Sequence, residues 1–212
     1  MRLLLVALTS AALAAAASSQ DLAAEVEGTW ELTAAENVPY ESELVFGRMT
    51  FDGGVLRSVF VFLDPDDAEL EGRIHRDRYR VSDGQLLVRD AQSTTVLDVV
   101  REGTELTVRD LQSAVAFRMR ESNPDLAFDP DLVGAWHGQF GKEMTTLTFS
   151  PNGEVVLLEA DGDEDTDAYV VAGPYLLIDE AAFRYSFTRD GDDRHLVLEN
   201  LGDRRTFSRV SR

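Results

Sequence analysis

"GTWELT" at residues 28–33 and "GAWHGQF" at residues 134–140 contain the only two tryptophans of this 212-residue chain. Each tryptophan stands two positions after a glycine, and each stretch then alternates between apolar and polar side chains. Alternation of this kind is typical of a β-strand with one buried face. The same short pattern, used twice about a hundred residues apart, indicates a chain built from two copies of one unit.

The residues around these stretches follow the same plan in both halves. Each half contains eight short runs with strand-like alternation, separated by turn sequences such as "DGG" at 52–54 and "PNG" at 151–153. The stretch at 121–131 holds two prolines and several acidic residues, a composition typical of a linker. We therefore predict a first domain at 20–120, a linker at 121–131 and a second domain at 132–212.

Eight consecutive antiparallel strands favour closure into a barrel. An open sheet leaves two unpaired margins, whereas pairing of the eighth strand with the first removes both. The interior of an eight-stranded barrel is either filled by its own side chains or holds one small ligand. The sequence thus predicts an all-β fold of two tandem eight-stranded up-and-down antiparallel β-barrels.

The two Gly-x-Trp stretches, Gly28 to Trp30 and Gly134 to Trp136, resemble the signature of lipocalins and the wider calycin superfamily. Each copy is shorter than a usual lipocalin, so the chain is similar to the short lipocalin-like domains of bacterial secreted proteins. The resemblance implies a short helical turn before the first strand that plugs one end of the barrel. It also implies an arginine on the last strand that packs across the tryptophan.

By its position, Arg209 is the arginine that the resemblance implies in the second copy. In the first copy the resemblance points to Arg118 or Arg120, and the choice between them stays open. Such a guanidinium gains a cation–π contact with the indole. Its N–H groups also bond backbone carbonyls at the closed end of the barrel.

The first residues, "MRLLLVALTSAALAAAASSQ", join one positive charge to a short apolar run and then to small residues. This is the layout of a secretory signal peptide, which we place at 1–19, with cleavage after Ala17 or Ser19. A retained N-terminal anchor is the alternative interpretation. No later stretch approaches the roughly 20 apolar residues of a spanning helix. We expect a secreted or periplasmic protein without a membrane span, and the absence of cysteine leaves it without disulfides.

The net charge of -19 limits the classes of partner that the protein can bind. Nucleic-acid affinity comes largely from a basic surface that displaces counterions, so a nucleic-acid partner is excluded. The acidic run "DGDEDTD" at 161–167 lacks the glycine and the final glutamate of a calcium-binding EF-hand loop, so a solvated hairpin loop is the favoured interpretation. The three histidines show no metal-ligand spacing along the sequence. We therefore predict neither a metal site nor a cofactor.

Catalytic motifs are missing as well. The sequence contains no Gly-x-Ser-x-Gly elbow, no phosphate-binding glycine loop and no His-Glu zinc motif, so we predict a non-enzymatic protein. Its expected function is to bind a small apolar or amphipathic ligand at a barrel mouth. The candidate ligand-binding residues are polar side chains on strand-like runs, namely Arg73, His75, Arg78, Tyr169, Arg184 and Tyr185. The alternative is an envelope or extracellular interaction module with solid barrels, whose protein partner is unknown.

Overall fold

The computed structural model describes residues 22–38, 43–64, 69–122, 129–140 and 143–210. The predicted leader at 1–19 and residues 123–128 of the predicted linker lie outside the described residues. The chain divides into two compact units. The first comprises Met1–Phe60 and Ile74–Pro124, and the second comprises Val61–Arg73 and Asp125–Arg212.

Within the described residues of the first half, the chain forms one short helix, at residues 22–26, and eight strands. The strands are β1 (Gly28–Glu36), β2 (Glu43–Asp52), β3 (Val55–Asp64), β4 (Glu69–Ser82), β5 (Gln85–Arg89), β6 (Thr94–Glu102), β7 (Glu105–Asp110) and β8 (Ala116–Ser122). Their neighbour order is β4-β3-β2-β1-β8-β7-β6-β5, and β4 also pairs with β5. Each strand therefore has a neighbour on both sides, which protects its backbone from unwanted edge pairing.

The second half forms eight further strands. They are β9 (Gly134–Phe140), β10 (Glu143–Phe149), β11 (Glu154–Glu159), β12 (Glu164–Ala172), β13 (Tyr175–Ile178), β14 (Ala181–Asp190), β15 (Asp193–Asn200) and β16 (Asp203–Arg209). Each pairs antiparallel with the next along the chain, and β16 pairs with β9. These pairings close an eight-stranded up-and-down barrel. The all-β prediction and the prediction of a β-barrel are confirmed.

Each unit buries its own core, as period-two alternation requires. Trp30, Phe51, Leu86, Leu106 and Met119 are at most 1% exposed in the first core. The second core contains an equivalent set of buried side chains: Leu132, Trp136, Leu147, Phe149, Val155, Leu176, Leu196, Leu198 and Phe207. Large side chains fill both cores, and in the β9–β16 barrel this is the packed state expected of a barrel of this size.

The segment Val61–Arg73 belongs to the second unit, although it lies within the predicted first domain. The Gly72 N–H donates to the Glu180 carbonyl at 2.7 Å, and the Leu70 N–H donates to the Asn200 side-chain oxygen at 2.8 Å. A Cβ at Gly72 would lie 2.5 Å from a Leu177 methyl, so only glycine permits this approach.

A search of the described residues for a membrane-spanning helix finds none of sufficient length and apolar character.

Candidate functional site

One end of the β9–β16 barrel is closed around Trp136. This side chain is fully buried and donates from Nε1 to the Leu132 carbonyl at 2.7 Å. The Arg209 guanidinium lies 4.8 Å from the centre of the indole, a distance that allows a cation–π contact. It also donates to the carbonyls of Asp131, at 3.1 Å, and Val133, at 2.6 Å. Arg209, which the sequence places on the last strand, thus connects β9 to the segment that precedes it.

Gly134 is required for this arrangement. Its φ angle is +127°, a conformation that side chains with a Cβ rarely adopt. A Cβ at this position would also lie 2.8 Å from an Arg209 nitrogen. The glycine of the Gly-x-Trp stretch therefore gives the guanidinium the space to cover the indole.

The first unit closes around Trp30 in a related way, with the arginine supplied from a different strand. Trp30 donates from Nε1 to the Val26 carbonyl at 2.8 Å, at the end of the short helix. The guanidinium over its ring belongs to Arg101 of β6, at 5.1 Å. Arg101 also donates to the Glu25 carbonyl and pairs with Glu121 at 3.2 Å. These contacts join the short helix to β1, β6 and β8.

Arg118 and Arg120, the two arginines predicted to cover Trp30, are exposed residues that pair instead with Glu36 and Glu105. The cross-strand register explains the difference. Trp136 stands opposite Arg209, whereas Trp30 stands opposite Glu121. The Glu121 carboxylate thus occupies the position equivalent to Arg209, and it pairs with Arg101 of β6.

At the other end of the β9–β16 barrel, an open surface cavity of about 410 Å³ lies between β9 and β16. The β9–β16 ladder runs from Trp136 opposite Arg209 to Gly138 opposite Phe207, and the cavity lies beyond the last of these pairs. Its lining comes from the end of β9 and the start of β16: Gln139, Asp203, Arg204, Arg205 and Thr206. The volume lies within the range of small-molecule sites.

Arg205 is the central side chain of this mouth. Its guanidinium lies 4.4 Å from the Phe140 ring centre and 6.0 Å from that of Phe183. Its Nε donates to the Asp203 carboxylate at 2.8 Å. Phe140 in turn packs against Phe183 at 5.9 Å and Phe207 at 6.4 Å. Arg205 is therefore a partly buried cation packed over aromatic side chains, and the aromatic side chains themselves are not among the residues that line the cavity.

Three carboxylates lie on the rim at the same end of the barrel, where β10 begins and β11 ends. Glu143, Glu159 and Asp161 have oxygens within 4.8 Å of one another, and all three side chains are exposed. Repulsion from Glu143, together with partial desolvation and the charges of Asp161 and Asp163, raises the pKa of Glu159 above its ordinary value. Hard cations prefer carboxylate oxygens as ligands. Exposed acidic groups of this kind are, however, also common without an ion.

Three predicted ligand-binding residues lie elsewhere in the second half. Tyr169 is 5% exposed and donates from its hydroxyl to the Ser150 carbonyl at 2.9 Å, and burial raises its pKa. The Tyr185 hydroxyl donates to Asp129 at 3.0 Å. Arg184 is exposed, with its guanidinium 5.8 Å from the Tyr175 ring centre. The two tyrosines therefore brace the barrel through hydrogen bonds, and Arg184 lies on the surface.

The other three lie along β4. Arg73 packs over the Phe62 ring at 4.9 Å and pairs with Glu71 at 3.6 Å, all within the second unit. His75 and Arg78 are exposed residues of the first unit. Among the residues that the structure describes, none of the six predicted ligand-binding side chains lines the cavity at the mouth.

The sequence reasoning missed the residues that form this mouth. The signal available in the sequence was the pair Arg204 and Arg205, which directly follows a turn and precedes the apolar Phe207. Alternation predicts that Arg205 shares the inward face with Phe207. The proximity of Phe140 and Phe183 depends on strand register, which the sequence alone does not specify.

A polar contact in the first unit was also missed. The Tyr79 hydroxyl donates to the Glu27 carboxylate at 2.6 Å, and Glu27 also accepts from the Gly53 N–H at 3.2 Å. Burial and then the Glu27 carboxylate raise the pKa of Tyr79. This contact joins the residue after the helix to β4, so its role is structural.

Comparison with known proteins identifies no relative: neither a scan of protein-family models nor a search of curated proteins finds a match to the chain. The resemblance to lipocalins therefore stays a prediction from the residues themselves.

Proposed function

We propose that the chain is an exported, non-enzymatic protein of two tandem lipocalin-like barrels that binds a small amphipathic ligand at the open mouth of the β9–β16 barrel. The predicted leader at 1–19 supports export to a secreted or periplasmic location. The strand pairings of both halves and the two buried tryptophans, each covered by a guanidinium, support the tandem lipocalin-like architecture.

The observation that carries the ligand proposal is the position of Arg205 over Phe140 and Phe183, beside a cavity of about 410 Å³. Phe140, which is partly exposed beside the Arg205 guanidinium, offers an apolar contact to one part of a ligand. The guanidinium, with Gln139 and Thr206 on the cavity wall, offers hydrogen-bond donors to a polar or anionic head. A small molecule with an apolar body and an oxygen-rich head matches both features.

The filled interior limits where this ligand binds. Leu147, Phe149, Leu196 and Phe207 are at most 1% exposed, so the centre of the barrel is occupied by protein. The ligand accordingly binds at the rim and upper mouth, and the protein supplies no reactive group to it. Binding of this kind suits capture or shielding of a small molecule outside the cell.

Titration with the anionic amphipathic dye 1-anilinonaphthalene-8-sulfonate tests the proposal. We expect saturable one-to-one binding, because the dye has the aromatic body and anionic head that the mouth accepts. Arg205→Met should weaken it about fivefold or more, as expected for loss of a contact of about 1 kcal/mol.

Arg184→Met is the matched control, because it removes an exposed arginine of the same unit that does not line the cavity. Equal affinities of the two variants, or dye binding without saturation, would contradict the proposal. Native mass spectrometry of protein from its own host would then show whether a natural ligand is retained.

The second candidate function is an extracellular interaction module with solid barrels. Its specific support is the packing of both cores, in which the large side chains are nearly or fully buried. This candidate predicts no saturable dye binding at the mouth and no retained small molecule. The same two measurements therefore separate the two functions.

A further inference from the structure

Four polar side chains form one row across the outer face of the second unit. His195 of β15 stands opposite Ser208 of β16, Ser208 stands opposite His137 of β9, and His137 stands opposite Thr146 of β10. Their neighbours Leu196, Phe207 and Trp136 point into the core, so alternation directs the row outward. Two histidines far apart in sequence thus flank a single serine.

Both imidazoles are oriented by hydroxyl groups. His195 Nδ1 lies 3.2 Å from the Ser208 hydroxyl, and His137 Nδ1 lies 3.0 Å from the Thr146 hydroxyl. A histidine that binds a metal usually has its second ring nitrogen held by such a partner, which fixes the tautomer and the ring orientation. The Ser208 hydroxyl engages Nδ1 of His195, so Nε2 of that ring is the nitrogen available to a ligand.

The spacing of the two rings suits one shared ion. Neighbouring strands lie about 4.8 Å apart, so His137 and His195, two strands apart, have Cα atoms about 10 Å from each other. Two imidazoles that lean towards each other bridge such a distance through an ion held about 2.1 Å from each ring nitrogen. The small Ser208 between them leaves space for the ion.

We propose that His137 and His195 bind one divalent transition-metal ion above Ser208. His195 already leans over Ser208. His137 turns towards it from Thr146, exchanging an exposed hydrogen bond for a metal bond. Imidazole is a preferred ligand of zinc, nickel and copper ions, and water completes the coordination.

The charge of the protein favours such an ion. A net charge of -19 raises the local concentration of cations around the molecule. The site lies on the outer face of β15, β16 and β9, and it involves none of the residues that line the cavity at the barrel mouth. It is therefore independent of the proposed ligand binding.

Isothermal titration of the full chain with Zn²⁺ at pH 7.5, expressed without a histidine tag, tests the proposal. We expect one ion per chain. Both His137→Ala and His195→Ala should lower the affinity at least about tenfold, because loss of an outer-shell partner alone typically costs that much. Affinity should also fall as the pH is lowered, because protons compete with the metal ion for the ligand nitrogens.

Two controls distinguish this site from others. His75→Ala removes an exposed histidine of the first unit and should leave the affinity unchanged. Glu159→Gln weakens the acidic rim cluster and should also leave it unchanged. Undiminished affinity in either histidine variant would overturn the proposal, as would an equal loss in His75→Ala or Glu159→Gln. Circular dichroism of each variant verifies that the fold is retained.

Discussion

Replacement of Trp136 by alanine should be the most destabilising single change at the closed end of the β9–β16 barrel. The indole is fully buried, packs 5.6 Å from the Phe187 ring centre and lies under Arg209 at 4.8 Å. Truncation of a buried tryptophan costs about 3 to 5 kcal/mol. The bond from Nε1 to the Leu132 carbonyl is also lost, so we expect the upper half of that range.

Urea denaturation followed by far-UV circular dichroism measures this loss. With a slope of about 1 to 2 kcal/mol per molar urea for a unit of this size, the midpoint of the affected transition should fall by about 2 to 5 M. In the variant Trp30 is the only tryptophan, so its fluorescence reports the first unit separately.

His137→Ala is the matched control for Trp136→Ala. His137 is the next residue on the same strand and is exposed on the opposite face. The free energy of unfolding of the His137→Ala variant should therefore differ from wild type by about 0.5 kcal/mol or less. A Trp136→Ala midpoint equal to that of the wild type would show that the indole does not hold the closed end. The assignment of that end as the plugged end would then be refuted.

Two further predictions concern charged side chains. Arg101→Met should destabilise the first unit by about 1 to 2 kcal/mol, because it removes the guanidinium from Trp30 and from the Glu25 carbonyl. Its control, Arg118→Met, removes one exposed ion pair and should cost about 0.5 kcal/mol or less. Equal shifts in the urea midpoint of the two variants would show that Arg101 has no special role. Glu159 has a raised pKa in the folded state, so the folded state binds more protons and repulsion lowers stability above that pKa. Glu159→Gln should therefore raise the urea midpoint at pH 7, and the difference from wild type should vanish below about pH 4.5; a difference that persists at low pH would contradict this reasoning.

The strand pattern was predictable because burial alone decides it. Every second residue of a strand that lines a core must be apolar, and that requirement appears directly in the sequence around Trp30 and Trp136. The arginine over Trp30 was not predictable in the same way. Its identity depends on which side chains meet across strands, and the position equivalent to Arg209 carries the acidic Glu121.

The contacts at the barrel mouth were also not predictable from the sequence alone. Arg205 lies near Phe207 in sequence, and alternation places them on one face, but Phe140 and Phe183 reach Arg205 from other strands. The predicted ligand-binding residues were chosen as polar residues on strands, without knowledge of the end at which each lies. Tyr169 and Tyr185 turned out to satisfy their hydroxyls through contacts with Ser150 and Asp129.

By itself, the sequence determined the all-β character, the two Gly-x-Trp strand starts and the acidic surface, because these depend on composition and local periodicity. Only the tertiary structure decided which side chains meet: Arg101 with Trp30, Arg205 with Phe140, and His195 with Ser208. The physical reason is register. A shift of one residue between two strands exchanges inward and outward faces, and the sequence of one strand does not state its alignment with the next.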